Sequence, residues 1–222
     1  MRCVLLLTAI VLMAANAAFP QEPMAVYQAS VLKSTQATAQ AALSEFSQLV
    51  TARNFKALGF DSPRDIRQAV LGDPFGEYMV RLDELKKFTS DINPVDLLHP
   101  TERITYPLLV EGATRSGVTV VKRDGKWIPE GIGGANYTRI LNEVRSQAVQ
   151  ETGRNSTDFF AVRVPALNMT FLGTGNGSEL TLIPILSDPT YGLIRGERIP
   201  AREVFETIAR GAREHNDLPG AR

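Results

Sequence analysis

Only two side chains in this 222-residue sequence, His99 and His215, can act as imidazole bases. Serine hydrolysis would have to be built around one of them, with a nucleophile and an orienting acid in hydrogen-bond reach. No serine occupies a Gly-x-Ser-x-Gly elbow; Ser116, in Arg115-Ser116-Gly117, comes nearest and reads as part of a hairpin turn. His99 reads as the end of a short helix before Pro100, and His215 as part of a charged helix face. Neither has a His, Cys or carboxylate neighbour at zinc-ligand spacing, and the sequence contains no His-Glu-x-x-His and no Asp-rich calcium loop. No catalytic residue, metal ligand or cofactor is assigned on this basis.

Weaker constellations remain. Gly131-Ile-Gly133-Gly134 leads into a helix, where backbone N–H groups can meet an anion, but it lacks Gly-x-Gly-x-x-Gly spacing and a P-loop lysine. The second glycine-rich stretch, Gly173 to Gly177, leads into a strand and reads as a hairpin. Glu111 and Glu130 are the carboxylates that could face each other as a hydrolytic pair, provided the fold sets them about 5 to 9.5 Å apart in a cleft. Trp127 could stack on a sugar or peptide or simply cover a sheet edge. With Tyr191 and Arg115 it completes the set of candidate contacts to a ligand or partner.

The N-terminus bears on where such contacts would operate. Met1-Arg2, an apolar run from Val4 to Met13 and Ala15-Asn16-Ala17 have the layout of a secretory signal peptide, residues 1–17, cleaved near Ala17-Ala18. The run holds about ten residues where a bilayer span needs roughly 20, so no permanent membrane anchor is expected. Cys3 is the one cysteine and precedes the cleavage point, so the mature chain is expected to form no disulfide. The expected location is secreted or periplasmic. Twenty-four basic residues balance 24 acidic ones without long runs of either sign, which argues against a nucleic-acid partner. Asn136, Asn155, Asn168 and Asn176 each begin an Asn-x-Ser/Thr triplet, and these residue types also favour caps and turns.

The elements around these residues follow from periodicity. Residues 18–31 read as a flexible lead-in, and 32–100 as a mostly helical region. Leu32, Thr35, Ala39, Ala42, Phe46 and Leu49 recur at helical spacing, and the pattern predicts helix from about Leu32 to Leu58. Ser62-Pro63-x-Asp65 signals a second helix start. Residues 101–222 read as an α+β region. Strands are expected over Ile104–Val110 and Val118–Lys122 with a turn at Asp124-Gly125, then a helix from Asn136 to Ala148. The same order follows as a long strand Phe159–Leu172, a strand Leu180–Leu186 and a helix from Pro200 to His215.

Ile140, Leu141, Val144 and Ala148 recur at one constant offset as Val204, Phe205, Ile208 and Ala212, and Trp127 maps onto Tyr191. The expected fold is therefore α+β, with a mainly antiparallel sheet built from two strand-strand-helix units, about 104–149 and 158–215, behind a helical N-terminal region. This order, over roughly residues 104 to 215, resembles secreted chaperone-like folds of the Tic22 type. The resemblance lies in element order alone, and no site residue follows from it.

The function expected from the sequence is that of an exported, soluble, non-catalytic binding or accessory protein of the cell envelope, with an unidentified protein or envelope ligand as partner. Two alternatives stand beside it: an envelope-polymer hydrolase using two carboxylates, and a structural subunit that forms homo-oligomers through the 32–58 helix.

Overall fold

The structure is a computed structural model and describes residues 29–176 and 179–214. The signal-like segment, most of the lead-in and His215 lie outside the described residues. The chain begins with α1 (Ala29–Phe46), then α2 (Asp65–Gln68), β1 (Val70–Leu71), β2 (Phe75–Met79) and α3 (Leu82–Lys86). Three long strands follow, β3 (His99–Val110), β4 (Ala113–Arg123) and β5 (Lys126–Gly133), and then α4 (Ala135–Thr152). The chain closes with β6 (Phe159–Val164), β7 (Met169–Asn176), β8 (Glu179–Pro184), β9 (Ile199–Pro200) and α5 (Ala201–Glu214).

All nine strands join one sheet in the order β5-β4-β3-β2-β6-β7-β8-β9, with β1 paired to β3 beyond β2. Each pairing is antiparallel except β2·β6, which is parallel and sits at the centre. From that pair the two halves run outward, and each ends in a helix. The α+β class, the mainly antiparallel sheet and the helix that closes each half match the sequence reading.

Strand alternation divides the core between the two faces of the sheet. Ile104, Tyr106 and Leu108 of β3, Val118 and Val120 of β4, Phe160, Val162 and Val164 of β6, and Leu182 of β8 share one core with α1 and α5. The opposite face carries Phe75, Phe159, Ala161, Leu172 and Ile183, which pack against Leu141, Val144 and Ala148 of α4. The two repeating helices thus lie on opposite faces.

Leu32, Ala39, Ala42 and Leu43 of α1 are buried, so the apolar stripe of α1 packs on its own sheet. Thr35, on the same stripe, is no defect there. The Tyr106 hydroxyl donates to the Leu32 carbonyl at 2.6 Å and lies 2.8 Å from the Thr35 hydroxyl, so the buried polar atoms partner one another.

Several boundaries differ from the sequence reading. The helix expected to reach Leu58 ends at Phe46, continues as one 3-10 turn over Ser47–Leu49, and gives way to turns. Asn54 explains the stop: its Oδ1 accepts the Thr51 N–H at 2.7 Å and its Nδ2 donates to the Leu49 carbonyl at 2.9 Å. Those local bonds offer the backbone an alternative to the helical ladder.

Asp65 does accept from the Asp61 and Ser62 N–H groups and from the Ser62 hydroxyl, yet the helix it opens runs only to Gln68. The single strand expected over Phe159–Leu172 is a hairpin, broken at Pro165–Leu167, with Asn168 left-handed at φ 53°. Proline removes a ladder donor, and asparagine tolerates the left-handed turn that returns the chain. β5 was not foreseen beyond its opening turn.

Gly173 shows how tightly the second half is packed. It sits directly opposite Phe160, and a Cβ there would lie 2.4 Å from the Phe160 ring. That ring cannot easily swing away, since it meets Tyr78 edge-on at a centroid distance of 5.0 Å. Gly173→Ala is expected to destabilise the protein by about 2 kcal/mol through overpacking, read from the urea midpoint at unchanged slope. A midpoint equal to that of the unaltered protein would show that the ring is free to move.

Candidate functional site

On its face of the sheet, α4 lies chiefly against β4 and also meets β3 and β7, its apolar side chains reaching Phe75 of β2 and Phe159 of β6, and a groove opens beside its N-terminal turn. There the alternation of five neighbouring strands sets out polar side chains: Glu130 on β5, Thr119 on β4, Arg103 and Thr105 on β3, Glu77 on β2 and Arg163 on β6. Thr170 on β7, opposite Arg163, completes the row. These residues line a cavity of about 510 Å³ closed on one side by Gly134, Tyr137 and Thr138 at the start of α4.

The charges form a chain. The Arg103 guanidinium grips Glu130 with both ends, Nη1 to Oε1 at 2.7 Å and Nη2 to Oε2 at 2.6 Å. Its Nε lies 3.8 Å from Glu77 Oε1, and the Arg163 Nη1 reaches the same oxygen at 3.5 Å. Glu77 is the most enclosed member, its side chain 13% exposed against 38% for Arg103. Two acids and two arginines therefore neutralise each other within the cavity. The Thr105 and Thr119 hydroxyls are 3.2 Å apart beside them.

Tyr137 stands at the edge of this polar cavity and also lines a second one of about 400 Å³. Asn168 and Thr170 belong to both cavities as well, so the two form one groove. The second cavity has the larger apolar share, walled by Ile140, Met169, Phe171, Ile185 and Leu193, with Asn136, Ser187 and Asp188 also lining it and Leu186 at its rim 59% exposed. The Tyr137 hydroxyl is buried and has no hydrogen-bond partner among the described residues. Burial, and then the negative charge of Glu77, push this phenol well above its ordinary range, so it remains a protonated donor at neutral pH.

The chain turns from β5 into α4 through Gly133 and Gly134, the latter at φ 61°, and no side chain caps the helix. The glycines singled out for anion binding thus form one wall of the groove. They bring no lysine with them; the cations come from β3 and β6.

The residues proposed from sequence as contacts fall elsewhere and apart. Arg115 pairs with Asp61 at 2.8 Å. Trp127 lies opposite Lys122, roughly 23 Å further along β4 at about 3.3 Å per residue. It is partly buried against the α1 core. Tyr191 packs on α5, where a Cβ on Gly211 would come within 2.3 Å of its hydroxyl.

Glu111 and Glu130 are not a pair: Glu111 sits in the β3–β4 turn, roughly 20 Å from the register of Glu130 on the same strand spacing. Ser116 is a buried residue of β4 rather than part of a turn, and its hydroxyl donates to the Gly133 carbonyl at 3.4 Å. His99 opens β3 instead of ending a helix, and its Nε2 contacts the Glu84 carboxylate of α3.

Glu77, Arg103, Tyr137 and Arg163 were not singled out from sequence. One signal was available, a lone arginine at position 163 inside the apolar run Phe159–Val164. Among the described residues no group of three His, Cys, Asp or Glu could hold a metal ion, and no helix is long and apolar enough to cross a membrane. Compared with protein-family profiles, with curated proteins and with solved structures, the chain matches none.

Proposed function

We propose that this chain is an exported, non-catalytic binding protein whose ligand occupies the groove between the two halves of the sheet. One observation carries the reading: a polar and an apolar cavity, each of ligand size, meet at Tyr137, Asn168 and Thr170. The signal-like N-terminus supports action outside the cytoplasm, in the periplasm or beyond the cell.

The uncharged fluorescent probe N-phenyl-1-naphthylamine tests the groove. The mature chain is expected to take it up saturably at one site. Thr170→Trp, which places an indole where the cavities join, is expected to weaken uptake by at least about tenfold, a difference of about 1.4 kcal/mol, while melting stays cooperative. Lack of saturable uptake by the unaltered chain would overturn the reading.

A second reading draws on the same groove, because Glu77 and Glu130 both line it. They are the two carboxylates at the polar end that a hydrolase of envelope polymers would use. That reading requires new reducing ends or stem fragments from a purified polymer, and their loss in Glu77→Gln. An unaltered polymer would remove it.

A further inference from the structure

We infer that the groove takes an amphipath with an uncharged, hydroxyl-rich head group and a hydrocarbon chain, the head lying among Glu77, Arg103 and Glu130 and the chain in the apolar cavity beyond Tyr137. The inference rests on the binding reading above and adds the chemistry of the ligand.

The head group follows from the charge balance. Arg103 is held by Glu130 at 2.6–2.7 Å and neighbours Glu77, which Arg163 also approaches. An anionic head beside Arg103 would face two carboxylates, Glu130 and Glu77, and a cationic head beside Glu77 would face two guanidinium groups, Arg103 and Arg163. Each must displace an ion pair in a partly desolvated site, and the charge left behind is costly. A hydroxyl avoids that conflict, since it donates to a carboxylate and accepts from a guanidinium without separating them. Most of the other polar groups at this end are hydroxyls, Thr105, Thr119, Thr138 and Thr170, beside the Asn168 amide and with the unpartnered Tyr137 donor at the boundary.

The chain follows from the other end. Ile140, Met169, Phe171 and Ile185 offer an uncharged wall. Among the described residues Asp188 is the one charged side chain lining this cavity, and Leu186 at the rim is one of the most exposed large apolar side chains. An apolar lip beside this apolar wall offers a hydrocarbon a surface to lie along.

Displacement of N-phenyl-1-naphthylamine separates this inference from the reading beneath it. Octyl glucoside, sodium octyl sulfate and octyltrimethylammonium share one chain length and differ in head charge; each is titrated below micelle formation against the mature chain loaded with probe. The glucoside is expected to displace the probe at about tenfold lower concentration than either ion. Thr119→Val, which keeps the volume and removes a head-group hydroxyl, should cost the glucoside about fivefold and leave both ions unchanged. Thr105→Val gives the same test should Thr119→Val fold poorly. Equal or stronger displacement by an ionic head, or no effect of either valine, would overturn the inference with the binding reading intact; loss of probe uptake altogether would overturn both.

Discussion

Replacing Gly59 with alanine is expected to destabilise the protein by about 4 kcal/mol, the largest single-residue effect anticipated here. Gly59 is at φ +92°, where a Cβ meets its own backbone, a strain of about 1 kcal/mol or more. The greater part comes from its neighbours. An added Cβ would lie 2.1 Å from the Arg115 carbonyl oxygen and 2.4 Å from the Ala135 Cβ. One obstacle belongs to the backbone of β4 and the other to the first residue of α4, so neither can rotate aside. Relief requires the 51–60 turns to lift from the sheet, at a cost of about 3 kcal/mol by the usual measure of overpacking.

Thermal unfolding should show this as a fall of roughly 8–16 °C at about 2–4 °C per kcal/mol for a chain of this size. A melting point within about 2 °C of the unaltered protein would mean that the turn region does not pack as described. Because Ala135 opens α4 beside the groove, Gly59→Ala should also weaken probe uptake. That links a loop distant in sequence to the site.

Arg145→Ala is expected to cost about 3 kcal/mol. Arg145 is 3% exposed, and its guanidinium donates to the Pro74 carbonyl at 3.0 Å, the Asp73 carbonyl at 2.7 Å and Asn142 Oδ1 at 2.6 Å. It also lies over the Phe75 ring, 5.0 Å from its centroid. Burial pushes its pKa down to about 10, with Asp73 opposing the fall, so the group is still charged at neutral pH. A charge in this setting is tolerable because three acceptors surround it.

Removing the side chain leaves those acceptors in a cavity they cannot fill, and hydrogen bonds to a charged group contribute about 1.5–3 kcal/mol each without adding fully. Arg145→Lys should recover only part of the loss, since an ammonium cannot span acceptors arranged for a planar fork. Urea unfolding of both variants checks the order. If alanine and lysine are equally stable, the fork geometry is not what holds α4 to the Gly72–Pro74 turn.

Much of the local structure was readable in advance. The recurring apolar positions marked α4 and α5 close to their observed ends, because four side chains at helical spacing declare a face without reference to any partner. Asp124-Gly125 marked the β4–β5 turn for a similar reason: Asp124 and Gly125 both have positive φ, which few residue pairs accept. The α1 stripe was recognised as well, but its length was not. Asn54 bonding to Thr51 and Leu49 ends the helical run, and that competition is not visible in an apolar period.

The site was hidden for a different reason. Glu77 and Arg163 come together only because β2 and β6 lie side by side in parallel, with Glu77 in register with Ala161 and Met79 with Arg163. No turn signal announces that pairing, since nothing local joins the two strands. Tyr137 looked like one more helix residue until α4 was placed across the opposite face from α5. Period, caps and turns act over a few residues, so the sequence by itself determined the α+β class, the two helices that repeat and the tight turns. Strand order and the uncovered part of the sheet depend on how distant surfaces bury each other, so only the tertiary structure decided which charges meet and where the groove opens.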